Sequence, residues 1–391
     1  MKRLGLAQKV AYALIALFPT QLTYHFWGIS QVASGKRIDF LVPALYATDL
    51  LILGLFVLLR PWQKLSLKHN LGLLSVSALV ALLHSSDSLV TQGFWMLKYL
   101  EIFYLVLAFT QLKLNPARLS IIFQIQILLI AILAFFQFLS AGSIGNLLYW
   151  LGERNLNLNT LGIAKTTWYN KEFIRPYATF SHPNTLSGYL LILALFTQIR
   201  FHVGMCRVCV LILPILILAK SQAVWFAIPI LFLISHFPNY IRFWHLFLGH
   251  ILTPLLLLKL TFLKEESLVV RNTIFTNSLA LLGQNPLIGI GFFGNITNLE
   301  KLRTAQALKL LQPVHNLFWF ALTSLGSFVV ILGLFFSKIK LVLSTKASSS
   351  LPLSAIIITG AFDHYWFTQQ QTLLLLAFII SQSSFFKASN K

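Results

Sequence analysis

The chain is short of acid, of sulfur and of charge altogether. Aspartate and glutamate together number 10 against 30 lysines and arginines, charged residues make up only 10% of the chain, and there are 2 cysteines and 3 methionines. With so little polar surface, and with a mean hydropathy of +0.78, the composition argues against a water-exposed globule and for residues that sit in hydrocarbon. The two cysteines, Cys206 and Cys209, form a single C-x-x-C. A structural zinc ion needs four ligands and no second pair follows, so small apolar residues in a helix are the plain reading. No small-x-small cleavage site follows the Lys2-Arg3 start, and Pro19 and Trp27 suit a retained first span better. No repeat of fixed period is visible.

Apolar runs of membrane-crossing length are what the chain has in plenty. About twelve spans are expected, near 7–26, 38–58, 70–86, 93–111, 119–140, 184–200, 205–219, 222–236, 242–262, 316–337, 351–367 and 371–386. The fold class expected is therefore all-α, one polytopic membrane domain over 1–391. The net charge of +20 falls in a pattern. With the N-terminus inside, short inner segments carry Lys2, Arg3, Arg60, Lys64, Lys113, Arg118, Arg242, Lys338, Lys340 and Lys391 and none of the acids. That asymmetry places both termini in the cytoplasm and assigns the basic excess to orientation and anionic lipid. No contiguous basic face suited to nucleic acid is present.

Two long connections, about 141–183 and 263–315, fall on the outer side of this topology and are expected to carry function. The second contains a helical stretch from Ser267 to Leu282 and a basic amphipathic stretch from Leu299 to Gln312 with Lys301, Arg303 and Lys309. Between them Gly289-Ile290-Gly291-Phe292-Phe293-Gly294 spells G-x-G-x-x-G. No strand precedes it and no acid follows about 20 residues on, so it supports only a close backbone approach to substrate or to a neighbouring helix.

Residues 175–184 read Arg-Pro-Tyr-Ala-Thr-Phe-Ser-His-Pro-Asn and open into an apolar helix from Thr185 to Ile199. Val270-Arg271-Asn272 comes next, then Asn285-Pro286-Leu287-Ile288-Gly289-Ile290-Gly291, then His315-Asn316 at the head of a span containing Gly326. Over about 175–333 these ordered motifs resemble the O-antigen ligase and polymerase superfamily of bacterial membrane glycosyltransferases, and Asp363-His364-Tyr365-Trp366 resembles a stretch found in some members. The resemblance implies an integral-membrane glycosyltransferase-like fold (GT-C type), multi-pass in the bacterial cytoplasmic (inner) membrane, working without cofactor or metal. Its activity would be transfer of a glycan from a polyprenyl-diphosphate carrier to a hydroxyl of a lipid, glycan or protein acceptor at the outer face.

By the same resemblance Arg175 and Arg271 would grip the donor diphosphate and His315 would act on the acceptor hydroxyl. His182, Asn184 and Asn316 would shape the substrate site. The chemistry suits the residue types: a guanidinium presents a planar fork of donors to phosphate, and an imidazole titrates near neutrality. Where many members carry Ser-Arg, this chain reads Lys220-Ser221-Gln222, so Lys220 would substitute for that charge. Each residue has a plainer reading. The arginines could snorkel at an interface, His315 could cap or pack, and Asn184 could be a helix N-cap. A flippase or exporter of lipid-linked saccharide is the alternative of a different class, and a noncatalytic assembly subunit a third. Two acids inside expected spans, Asp49 and Glu101, need partners. Lys98 lies three residues before Glu101 on one helix face and can reach it; Asp49 has no partner legible in the sequence.

Overall fold

A computed structural model describes residues 2–26, 32–33, 36–160, 162–201, 205–259, 266–300, 310–336 and 350–383. Its helices are α1 (Lys2–Ala16), α2 (Ala47–Leu59), α3 (Leu67–Leu83), α4 (Ser85–Thr110), α5 (Pro116–Ser140), α6 (Pro183–Phe201), α7 (Met205–Ala219), α8 (Gln222–His236), α9 (Phe243–Lys259), α10 (Glu266–Gln284), α11 (Gly294–Glu300), α12 (Leu317–Phe336), α13 (Leu351–Gly360), α14 (Tyr365–Thr368) and α15 (Gln370–Gln382). Among the described residues three two-stranded antiparallel ladders join them: β1 (Thr23–His25) with β4 (Ala44–Tyr46), β2 (Val32–Ala33) with β3 (Lys36–Arg37), and β5 (Lys165–Trp168) with β6 (Lys171–Ile174).

Local chemistry sets the helix ends. Asn115 accepts from the amides of Ala117 and Arg118 at 2.8 and 3.3 Å, and Pro116 fills the first helical position of α5. The same helix closes through Ala141 in the left-handed region (φ 49°), and the Gly142 amide reaches back to Gln137 O. Asp49 accepts from the amide of Tyr46 at 3.0 Å and opens α2.

The twelve-span architecture is overturned. Among the described residues only two helices, Leu89–Thr110 and Pro116–Ser140, are long and apolar enough to cross a membrane, and 39% and 44% of their windows are buried against protein. The expected first span stops at Ala16, and Thr23–His25 turns into a strand registered Thr23 to Tyr46. The expected span at 351–367 is a 10-residue helix, a break and a single turn. Gly326, with φ 74° and ψ 170°, interrupts α12. The reason is that apolar content does not fix helix length: turns, short strands and breaks such as Gly326 end most of the runs before they reach membrane-crossing length. The multi-pass inner-membrane location with inner and outer loops loses its basis with the spans. The basic stretch Lys301, Arg303 and Lys309, like Lys338, Lys340 and Lys391, lies outside the described residues.

Nor is 141–183 a free loop. Glu153 is buried and accepts from the amides of Ile144 and Gly145 at 2.8 and 2.7 Å and from Gln137 Nε2 at 2.6 Å. Gln137 Oε1 accepts in turn from the amides of Tyr177 and Ala178 at 3.1 and 2.6 Å. One glutamine on α5 thus pins both ends of the segment. Replacing Gln137 with alanine orphans these buried groups and is expected to cost roughly 2–4 kcal/mol of unfolding free energy in denaturant titration. A loss below about 0.5 kcal/mol would show the segment held by other contacts.

Two apolar cores form. The larger joins α1, α4–α8 and α13–α15 through Leu14, Phe18, Phe109, Phe123, Tyr189, Trp366 and Phe378. The smaller joins α4, α10, α11 and the start of α12 through Trp95, Ile274, Phe275, Phe293, Ile296 and Phe320. Tyr99 and Phe367 pack against both. The break between α13 and α14 therefore lies at the seam of the two cores. Helix faces turned away from them expose large apolar side chains, among them Leu53, Leu97, Leu129 and Val210.

Candidate functional site at the break between α13 and α14

Gly360 ends α13, and the four residues Ala361 to His364 cross to α14 without helical continuity. Asp363 in this crossing is 6% exposed. Its Oδ1 accepts from the His364 amide at 2.8 Å and its Oδ2 from Asn184 Nδ2 at 3.1 Å. His315 Nδ1 lies 3.4 Å and His364 Nε2 3.9 Å from Oδ1. The two imidazole rings are 5.2 Å apart between centroids. Burial alone would raise Asp363, but the facing rings of His315 and His364 and the charge of Arg271 hold its carboxyl well below the usual carboxylate range.

The flanking elements bring the predicted residues to this acid to different degrees. Arg271, one turn into α10, donates from Nη1 to Phe362 O at 3.3 Å, its only hydrogen bond among the described residues. Arg175, following β6, donates to Ala219 O at 2.6 Å, Lys220 O at 3.3 Å and Asn184 Oδ1 at 3.1 Å. It caps the carbonyl end of α7 and orients the amide that bonds Asp363. His182 precedes α6 and accepts the Asn184 amide at Nδ1 (3.1 Å). His182, not Asn184, is thus the capping residue, with Pro183 opening the helix.

Asn316 and Lys220 have contacts of their own. Asn316 donates to His250 O and Ala361 O, both at 3.0 Å, and accepts the Trp319 amide at 3.1 Å, so it caps α12 and ties it to the crossing. Lys220 is exposed, with Nζ 5.0 Å from the Trp168 ring centre. Asp363 and His364 are central and were not among the residues singled out as functional. Their one signal was an acid beside a histidine just after a helix-ending glycine, in a chain with 10 acids.

The other buried acids are accounted for elsewhere. Lys98 Nζ lies 3.0 Å from Asp49 Oδ1 and 2.8 Å from Glu101 Oε2, and Gln370 Nε2 donates to Asp49 Oδ1 at 2.7 Å. These four residues bridge α2, α4 and α15.

His182 predicts a pH dependence. Burial lowers its pKa to about 3; Asp363 pulls it upward, and Arg175, His315 and Arg271 push it further down. Between the unfolded value near 6.5 and about 3 the unfolded chain binds the extra proton, so this histidine makes the protein lose stability as pH falls through that window. With partial exposure allowed for, the loss is on the order of 1 kcal/mol at pH 5. Denaturant titrations from pH 7 to 5 should show a shallower decline in His182→Asn, which keeps a capping oxygen and removes the titration. Equal slopes would place the titrating group elsewhere.

No protein-family model and no curated protein matches the chain. Membership of the O-antigen ligase and polymerase superfamily is therefore not supported, and the activity that depended on it is withdrawn: glycan transfer from a polyprenyl-diphosphate donor to a lipid, glycan or protein acceptor, or export of such a saccharide. The motifs have local explanations. His182-Pro183 and His315-Asn316 open helices, Gly289 is needed where backbone meets backbone, and Gly291, at φ 79°, faces the side chains of Gln92 and His84. Short runs of cap and turn residues recur wherever helices begin in apolar surroundings.

Proposed function

We propose that the chain binds a small oxyanion-bearing ligand at the α13–α14 break, with Arg271 as the principal cation. The observation that carries this is a charge imbalance: two guanidiniums, Arg175 and Arg271, stand against one carboxylate, Asp363, at the seam. Arg271 is near enough to Arg175 to add to the effect of burial in lowering its pKa, while Tyr177 opposes it. An excess cation away from bulk water is costly unless an anion joins it. Arg175 acts by holding Asn184 and the end of α7. His315, whose side chain is 15% exposed, stands at the solvent side and meets the ligand. A phosphate or carboxylate group suits a guanidinium fork.

Calorimetric titration with inorganic phosphate and pyrophosphate tests the reading. Arg271→Ala is expected to weaken binding by about 10–100-fold, the worth of one charge-assisted hydrogen bond. Lys220→Ala, whose ammonium turns to Trp168, should bind as the wild type does. Equal affinity in wild type and Arg271→Ala would overturn the reading.

A further inference from the structure

Three acceptor atoms meet at Asp363. His315 Nε2 lies 2.9 Å from Gln312 Oε1, an acceptor, so the proton of a neutral ring sits on Nε2 and Nδ1 presents a lone pair. His315 Nδ1 is buried and makes no hydrogen bond, although Asp363 Oδ1 is 3.4 Å away. His364 Nδ1 lies 2.8 Å from Thr368 Oγ1, and that hydroxyl donates to His364 O at 3.3 Å. The His364 proton therefore sits on Nδ1, and its Nε2 lone pair also faces Asp363. Two imidazole lone pairs directed at a carboxylate repel it unless a positive charge lies among them, either a proton on His315 Nδ1, which would hold the Asp363 carboxyl low, or a metal ion.

We propose that His315 Nδ1, Asp363 Oδ1 and His364 Nε2 bind a divalent transition-metal ion of the zinc class. The three atoms lie within 4.8 Å of one another. Around a tetrahedral ion with metal–ligand bonds near 2.0–2.1 Å, ligand atoms stand roughly 3.3 Å apart. The His315–Asp363 pair already has that spacing, and a small rotation of His364 supplies the rest. The outer hydrogen bonds are those a metal-bound histidine uses to fix its tautomer: Gln312 behind His315 and Thr368 behind His364. Asn184 and the His364 amide orient the carboxylate in the same way. Two nitrogens and one oxygen suit zinc or cobalt over magnesium or calcium. Three protein ligands leave a fourth position, and there alone the inference rests on the anion-binding reading: an oxyanion bound to metal and Arg271 offsets the repulsion between those two cations.

The test uses full-length protein treated with chelator and titrated with Co2+ or Zn2+, followed by Co2+ visible absorption and thermal unfolding. The expected result is one ion per chain, the intense absorption of four-coordinate cobalt and a raised melting temperature. His315→Gln and His364→Gln should each weaken binding by at least the roughly 10–100-fold that loss of an outer partner costs, with His236→Gln, a surface imidazole, unaffected. Melting of each metal-free variant shows whether it folds; the wild-type titration decides the matter even where one does not. Cobalt binding with weak six-coordinate absorption and no thermal shift, or equal affinity in the folded variants, overturns the site. Phosphate titrated into metal-free and cobalt-loaded protein separates the two claims. Phosphate binding in both with no metal bound removes the metal site and leaves the anion reading. Tight cobalt binding with no phosphate uptake in either leaves the metal site and removes the anion reading.

Discussion

Alanine at Gly326 is expected to lower the unfolding free energy by roughly 3–5 kcal/mol, among the largest effects of any single methyl group in this chain. Gly326 sits at φ 74° and ψ 170°, a conformation essentially confined to glycine. A Cβ there would also stand 2.5 Å from Gly289 N and closer still to Leu287 O and Ile288 C. None of these is a side chain that can swing away. The break frees carbonyls in α12, and the glycine-rich turn takes them up: Ile290 N donates to Thr323 O at 2.8 Å and Gly291 N to Ser324 O at 3.0 Å. Ser327 N closes the exchange with Pro286 O at 2.9 Å. Forcing Gly326 aside therefore loses three backbone bonds along with the contact. Gly289→Ala should behave alike, since a Cβ there lies 2.7 Å from Thr323 O, and the double variant should lose less than the sum because both break one contact. Denaturant titration measures the loss, and amide exchange at Ile290 and Gly291 should accelerate. A Gly326→Ala protein within about 0.5 kcal/mol of wild type would show that the turn does not clamp the helix.

The second large effect is expected at Asp363. Removing its carboxylate by Asp363→Ala leaves Asn184 Nδ2 and the His364 amide without their acceptor and Arg271 without its counter-charge. Breaking a buried ion pair from one side typically costs about 3–5 kcal/mol, and that is the loss expected here. Asp363→Asn keeps the shape and one acceptor oxygen and should lose less. The two also differ in pH response. A carboxyl held below its unfolded value contributes stability that is fully present above about pH 4 and fades as pH falls through the folded value. The acid limb of the wild-type stability profile below pH 4 should therefore flatten in Asp363→Asn. If Asp363→Ala unfolds like wild type at pH 7, the carboxylate does not hold the seam together.

How much of this was legible before the fold is seen best at particular residues. The expected stretch 222–236 coincides with α8, and 119–140 lies inside α5. These rest on local information, namely apolar length and end-capping residues. The Lys98–Glu101 pair was equally local, three residues apart on one helix, and closes at 2.8 Å. The glycine-rich turn could be read as a close backbone approach, though not as an approach to Gly326. The partner of Asp49 could not be found, because Lys98 reaches it from another helix. The functional weight assigned to Asn316 and Lys220 came from position in a motif, and tertiary contacts gave Asn316 a capping task and Lys220 an aromatic neighbour.

The amino-acid sequence by itself determined that this chain would be helical, apolar and in excess of basic charge, since helix ends and periodicity depend on residues a few positions apart. It also placed Arg271, His315 and His182 among the residues worth watching. Only the tertiary structure decided how few of the apolar helices among the described residues have membrane-crossing length, and that Asp363 gathers His315, His364, Asn184 and Arg271 around it. Those outcomes depend on helices distant in sequence being folded against one another, and a buried charge finds its partner only when that packing brings one within a few ångströms.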